Sequence, residues 1–580
     1  MNSNLSILYE VIKDKISERD FNSILGTITS TALSLFNKRI DSSEKIDFSL
    51  LLVESLDTEI LDNKAFIEIF ILDILDDDII LLLIEDLKIS NIKANLFKNR
   101  EEILKSSLKK IINSIVLVFD LEKDYFIQSE SKEFSSSFEL VAPLSPIDES
   151  NINEVRNEYL SLHPYQKRVK DKSTKLLLDN DFRKFLIHMP TGSGKTKTCV
   201  ESIIDYLRTE ISSEGYVIWF AHSKELCEQS YETLKKMWKL RGDEPLPFYK
   251  VFGDSDINLN ILDKKRAIVF IGFQKFHSMI NSKNSDVLSF RTRIASLAKL
   301  TIVDEAHKSL APTYKKGIEY IVRKYTGCKL IGLTATPGRT NENSDENKFL
   351  SDFFNNNLIP ITNSEGVELD NSIKYLQKDE FQVLAKIEKV ILEFDLDVNL
   401  SSDPSNSSSE ELSDKDLSLI SNASVINPDR NLKILHSVQE CLDDPDKESI
   451  LIFAASTMHC IILQTIFRKH GIDSGVVLGS TNKIERSRII DDFKNKELKV
   501  LINYSVLSTG FDAPRLNTLI IARTINSNIL GSQIIGRALR GPKNGGNKKN
   551  TIIVLKDNIT GANNPSFLFS YWENFWGKSL

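Results

Sequence analysis

Two short stretches of the 580-residue chain carry residue types suited to phosphate chemistry. The first is Met189-Pro190-Thr191-Gly192-Ser193-Gly194-Lys195-Thr196, set between an apolar run at 185–189 and a helical pattern at 196–207. Glycines let the backbone wrap an anion, and the N–H groups of the loop and of the following helix then point at negative charge. In such a loop Lys195 reaches the β- and γ-phosphates of a nucleotide, and the Thr196 hydroxyl ligates Mg²⁺. Met189 stands where the strict phosphate-loop pattern has glycine, so this loop is a variant. The second stretch is Asp304-Glu305-Ala306-His307, which closes the apolar run 300–303. A carboxylate at the carboxyl end of a strand sits where α/β sheets bind their ligands. Asp304 is suited to hold Mg²⁺ through water, and Glu305 to polarise an attacking water. Adjacent carboxylates alone usually mark a solvated strand end. The phosphate loop upstream favours nucleotide hydrolysis, with ATP and Mg²⁺ as the expected cofactors.

Those residues need a sheet to hold them. From residue 182 onward, short apolar runs alternate with helical patterns. Residues 185–189, 216–221, 267–272, 300–304 and 330–334 read as buried strands. A second set follows at 449–454, 475–478, 499–503, 518–522 and 551–555. Near-continuous apolar runs separated by helices imply parallel sheets covered on both faces. Residues 1–130 differ: Leu5, Ile7, Leu8, Val11, Ile12 and Ile16, and again Ile103, Leu104, Leu108, Ile111, Ile112 and Ile115, recur at helical steps, and glycine and proline are nearly absent. The expected fold class is α/β, two tandem parallel-sheet domains preceded by a mostly α-helical N-terminal domain. The expected divisions are an acidic helical domain at 1–130, a linker rich in Ser, Glu and Pro at 131–155, and a first α/β domain at 156–365. A connector with a Ser-rich insertion then spans 366–425, a second α/β domain 426–560 and an aromatic tail 561–580.

Taken in order, the motifs resemble those of superfamily 2 helicases over roughly residues 160–560. The phosphate loop, Asp304-Glu305-Ala306-His307 and Leu333-Thr334-Ala335-Thr336-Pro337 are similar to motifs I, II and III. Leu162-His163-Pro164-Tyr165-Gln166 resembles the adenine-reading segment, Ala221-His222-Ser223-Lys224-Glu225-Leu226 motif Ia, and Gly272-Phe273-Gln274 motif Ib. Leu451-Ile452-Phe453-Ala454 resembles motif IV, Ser508-Thr509-Gly510-Phe511-Asp512-Ala513-Pro514 motif V, and the run from Gln533 to Arg540 motif VI. The resemblance implies two RecA-like domains that hydrolyse ATP between them. Lys195, Asp304, Glu305, Gln533, Arg537 and Arg540 would then be catalytic. Gln166, Pro190, Thr191, Gly192, Ser193, Gly194, Lys195, Thr196, Gly510 and Asp512 would hold nucleotide, with Thr196 and Asp304 on the metal. Lys224, Gln274, Ser508 and Thr509 would contact nucleic acid, while His307, Thr334 and Thr336 couple hydrolysis to motion. Arg537 and Arg540, three apart on a predicted helix, share a face. Within the superfamily the motifs look most like RadD-type repair helicases and type III restriction helicase subunits. Both act on DNA, so DNA is preferred over RNA. The acidic N-terminal region departs from the RadD type, as does the lack of its cysteine-rich module. The motor of an antiviral defence or restriction-type system is the setting this implies.

Composition narrows the alternatives. The five cysteines are scattered without C-x-x-C spacing, which argues against a zinc ribbon or iron–sulfur cluster. The N-terminus lacks a basic stretch leading into an apolar core, and four aspartates interrupt the most apolar segment, 66–84. A secretory signal and a membrane span are therefore not expected, and a cytoplasmic protein is. The net charge of −7 hides an asymmetry: residues 1–150 carry 28 acidic and 16 basic side chains, and the remainder 53 and 58. A phosphate-binding surface suits the second part. The basic, glycine-rich stretch 542–550 reads as a turn between motif VI and the last strand. The N-terminal domain or the aromatic tail could dock a protein partner, or both could simply pack on the core. An RNA helicase and an ATP-switched scaffold remain the alternatives.

Overall fold

The computed structural model describes residues 3–40, 47–56, 60–61, 63–89, 96–119, 121, 137–143, 161–211, 214–253, 255–324, 327–336, 345–369, 371–396, 398, 414–508, 510–511, 513, 515–525 and 528–557. Two parallel sheets dominate it, as the alternation of apolar runs and helices predicts. The strands of the first are β1 (Phe138–Val141), β2 (Lys184–His188), β3 (Gly215–Ala221), β4 (Leu246–Val251), β5 (Arg266–Gly272), β6 (Ala298–Asp304), β7 (Lys329–Thr334) and β8 (Leu358–Ile359). They lie in the order β1-β4-β5-β3-β6-β7-β2-β8. All pairs are parallel except β1 with β4. The second sheet contains β9 (Lys386–Phe394), β10 (Ile450–Phe453), β11 (Ser474–Val477), β12 (Val500–Asn503), β13 (Thr518–Ile521) and β14 (Lys549–Asp557), in the order β11-β12-β10-β13-β14-β9 and parallel throughout.

Strand alternation assigns the core. In β3, Val217 and Trp219 join the apolar cluster on one face, and Tyr216, Ile218 and Phe220 join the cluster on the other. In the second sheet Leu451 and Phe453 face one layer, which also holds Ile534 and Leu539, while Ile450 and Ile452 face the opposite layer. That opposite layer contains the second domain's own helices Pro428–Leu442 and Thr457–Lys469, and the N-terminal helices join the same cluster. Leu33 and Phe36 of the helix Thr27–Ile40 belong to the same buried cluster as Ile434, Val438, Leu463 and Ile466 of the second α/β domain. Polar contacts pin the seam: Arg39 pairs with Asp429 at 2.7 Å, Thr465 Oγ1 donates to Ser55 Oγ, and Lys469 Nζ donates to Asn37 Oδ1.

Two spans assigned to connections also supply strands. Residues 138–141, inside the expected linker, add an antiparallel edge to the first sheet. Lys386–Phe394, inside the expected connector, forms an edge of the second. β9 escaped notice because an edge strand keeps charged, exposed side chains, here Lys386, Lys389 and Glu393. The Ser-rich insertion and the aromatic tail lie outside the described residues.

Candidate nucleotide site at the domain interface

The phosphate loop follows β2, Asp304 ends β6, and Thr334 ends β7, which lies between them. In-register pairing sets His188 beside Thr334 and Asp304 beside Leu333, so all three chain ends emerge at one sheet edge. Met189, the variant position, is fully buried and its N–H donates to Thr334 O at 3.1 Å. It fills the core beneath the loop. Gly192 and Gly194 take φ of +80° and +82°, a region costly for other residues. Ser193 turns the loop tightly, its N–H and hydroxyl both donating to Pro190 O. Ser193 O in turn accepts from Tyr165 Oη at 2.6 Å and Gln166 Nε2 at 3.0 Å. Holding that carbonyl outward turns the N–H of Gly194 inward, because the peptide unit is planar and trans. The helix Lys195–Thr209 then begins with Lys195 and Thr196 in its first turn.

Gln166 therefore braces the loop. Its Oε1 also accepts from His163 N at 2.9 Å, closing the N-terminus of the helix Pro164–Leu178. One Nε2 hydrogen is left over for any adenine contact, fewer than the paired contact expected of it.

Glu305 holds φ +50°, strained for a non-glycine residue, and its N–H donates to Asp304 Oδ1 at 2.9 Å. Burial and the neighbouring Glu305 charge push the Asp304 carboxyl above its ordinary range, against the pull of Lys195. Burial opposes ionisation of Glu305 too, but Lys195 foremost, with Arg537, holds its carboxyl low. Burial lowers His307 to about 3, so its ring is neutral. Thr334 Oγ1 donates to Thr336 O at 2.8 Å, so His307 Nδ1, 3.2 Å from that oxygen, is the donor there. Its Nδ1 contacts are thus to Thr334 and Thr336, with Glu305 Oε2 at 3.4 Å, all of its own domain.

The second domain closes over this edge. A Cβ on Gly536 would lie 2.5 Å from Thr191 Cβ, so a larger residue there would hold the domains apart. Gly510 packs likewise against Glu225 and Leu226, away from the phosphate loop, and Glu225 Oε1 pairs with Arg486 Nη1 at 3.0 Å. The helix Asn528–Gly536 ends before either arginine of motif VI. Arg537 follows in a turn, with Nη1 donating to Phe511 O and Nε to Gln533 O. Arg540 lies in a short β-bridge with Leu384, so the shared helix face is a misreading. After Gly536 the chain tightens into three-residue turns, Arg537 N–H donating to Ile534 O and Ala538 N–H to Ile535 O, and Ala385 N–H captures Leu539 O. Among the expected nucleic-acid contacts, Gln274 is exposed on the helix Phe273–Asn281 and Lys224 opens the helix Lys224–Arg241. Ser508 is buried and its hydroxyl donates to Ser505 O. Thr509 and Asp512 lie outside the described residues. Two functional candidates were missed. Arg486 and Asn544 fall in stretches whose composition says only polar helix and basic turn.

Residues 159–339 match the family described as "Type III restriction enzyme, res subunit", and 433–542 match the "Helicase conserved C-terminal domain". The chain belongs to the superfamily 2 helicases. It is 27% identical over 362 residues to the protein named as the ATP-dependent helicase IRC3 of Saccharomyces cerevisiae, covering 61% of this chain and 46% of that one. It is 26% identical over 399 residues to the protein named as the mitochondrial ATP-dependent helicase irc3 of Schizosaccharomyces pombe, covering 66% and 55%. The match thus spans about half the length of these relatives. A solved structure of Mss116p with single-stranded RNA and AMP-PNP aligns with a TM-score of 0.48 at 16% identity, covering 71% of this chain and 73% of that one. No helix among the described residues is long and apolar enough to cross a membrane.

Proposed function

We propose that the chain is a nucleic-acid-dependent ATPase, a helicase or translocase that acts on DNA. The observation that carries this reading is the setting of Glu305, whose carboxylate feels Lys195 from the first domain and Arg537 from the second. A catalytic site assembled from two domains is what couples turnover to movement.

The residues present fit ATP and Mg²⁺. Glu305 Oε2, His307 Nε2 and Gln533 Nε2 are buried without a hydrogen-bond partner among the described residues, although burial normally demands one. The carboxylate pair, with Asp304 raised by burial, calls for a cation. Lys195 and the loop N–H groups would hold the phosphates, and Thr196 and Asp304 the Mg²⁺. The bound nucleotide supplies the anhydride bond whose cleavage drives the cycle. Glu305 orients the attacking water and accepts its proton. Arg537, with Arg540, stabilises charge on the transferring group. Because these arginines belong to the second domain, nucleotide favours closure and hydrolysis removes that bias. Gln533 and His307 offer a donor and an acceptor through which the domains sense each other, with Thr334 and Thr336 relaying the change. Lys224, Gln274, Ser508 and Thr509 lie on motifs suited to backbone phosphates, which implies salt-sensitive, sequence-tolerant binding.

DNA is favoured because the first domain matches a restriction-enzyme subunit. The same match supports a setting in antiviral defence or restriction in the cytoplasm, with the acidic N-terminal region or the tail meeting an effector protein. RNA is the second reading, favoured by 23% identity over 442 residues to a Methanocaldococcus jannaschii protein named as an ATP-dependent RNA helicase. ATP turnover measured with single- and double-stranded DNA and RNA separates them. Stimulation by DNA is expected, and stimulation by RNA alone would defeat the DNA assignment.

A further inference from the structure

The turn after motif VI makes a contact that the motif scheme does not provide. Gly541 N–H donates to Val383 O, Lys543 N–H to Gln382 O, and Lys543 Nζ to Glu380 O, so the turn is pinned to residues 380–383. A Cβ on Gly541 would meet Gln382 O at 2.6 Å, and one on Gly546 would meet Arg540 O at 2.2 Å, so both glycines let the turn fold this tightly. Its rigid frame presents one side chain across the domain boundary. Asn544 Nδ2 donates to Gly192 O of the phosphate loop at 3.0 Å. Asn544 Oδ1 lies 3.3 Å from His163 Nε2. An amide oxygen only accepts, so His163 carries its proton on Nε2 and completes a His163–Asn544–Gly192 bridge. Leu384 Cδ2 would lie 3.5 Å from a Cβ on Gly192, so apolar contact flanks the bridge.

Two other carbonyls of the loop are held from within the first domain: Pro190 O by Ser193, and Ser193 O by Tyr165 and Gln166. Gly192 O is held from the second. Resting on the reading of this cleft as an ATP site, we propose that Asn544 is a positioning residue for nucleotide binding. It clamps the outer carbonyl of the phosphate loop to the second domain, so that a formed loop and a closed cleft stabilise each other. Asn544 touches no phosphate; it acts through the loop backbone.

The full-length chain tests this with two readouts. One is equilibrium binding of a fluorescent ATP analogue. The other is energy transfer between labels at Ser278→Cys and Asn495→Cys, exposed positions on the two domains; the native cysteines are all buried. Asn544→Ala removes the hydrogen bond to Gly192 O together with the one from His163 and should weaken the analogue about fivefold. Asn544→Asp sets an acceptor against an acceptor and should weaken it by more than about tenfold. Both should lower energy transfer. His163→Ala removes the other end of the bridge. Its effect should not add to that of Asn544→Ala, and it keeps the test available should an Asn544 variant fail to fold. Wild-type affinity and energy transfer in the Asn544 and His163 variants would overturn this inference alone. Wild-type protein that binds no ATP analogue would overturn the reading of the cleft, and this inference with it.

Discussion

At the scale of single residues, the chemistry turns on which atoms remain unsatisfied once the domains are closed. Glu305 is buried and strained, yet its carboxyl is held low by the cations around it, Lys195 foremost. Glu305→Gln should keep nucleotide binding while turnover falls about 10²–10⁴-fold, read by steady-state hydrolysis beside a binding titration. Equal loss of binding and turnover would mean that the side chain shapes the site and does not act on water. The phosphate loop and the Asp304–Glu305 pair were legible because each is a local pattern attached to a strand end. The bracing by Gln166 was not, because an amide near a phosphate loop can face the base or the loop. Only the positions of His163 N and Ser193 O decide between them. Arg540 was misplaced for a different reason: three-residue spacing fits a helix face, but the helix ends at Gly536 and Arg540 bridges to Leu384.

At the scale of elements, the second domain is organised around buried polar groups. Arg430 and Asp557 are both fully shielded, 3.4 Å apart, and Arg430 Nη1 also donates to Ala522 O at 3.1 Å. The pair ties the helix Pro428–Leu442 to the end of β14. Asp557→Ala leaves a buried guanidinium without its counter-charge and should cost about 3–5 kcal/mol in urea unfolding. An unchanged midpoint would show that water reaches the pair. Next to it His459 accepts from Ala455 N–H on Nδ1 and donates through Nε2 to Asn431 Oδ1, an arrangement only the neutral ring can make. Burial, with Arg430 nearby, lowers its pKa to about 3. The unfolded chain binds a proton at this residue near pH 6.5, whereas the folded chain does so only near 3. Its stability is therefore full above about pH 6.5 and falls by up to about 1.4 kcal/mol per pH unit as the solution is acidified. His459→Gln should flatten the fall in melting temperature between pH 6.5 and 5. These elements were readable as strands and helices from periodicity. Their cross-links were not, because residues 127 apart in sequence pair only after folding.

At the scale of the whole molecule, the N-terminal helices and the second α/β domain share one buried core. The sequence showed an acidic helical region but not its seat, since periodicity identifies an apolar face without naming what covers it. Phe36, fully buried against this seam and 6.3 Å from the His470 ring, should cost about 3–5 kcal/mol when replaced by alanine. Unfolding of the second domain should register that loss; a loss confined to the N-terminal helices would mean the two units are independent. The first domain meets this composite body across the nucleotide cleft. The central claim is that a lysine on one side and an arginine on the other act on one triphosphate. The most direct measurement is ATP turnover at saturating nucleic acid in Lys195→Ala and Arg537→Ala. Both should lose about 10³-fold or more. Turnover in Arg537→Ala close to wild type, with Lys195→Ala inactive, would contradict the account, because hydrolysis would then need one domain alone.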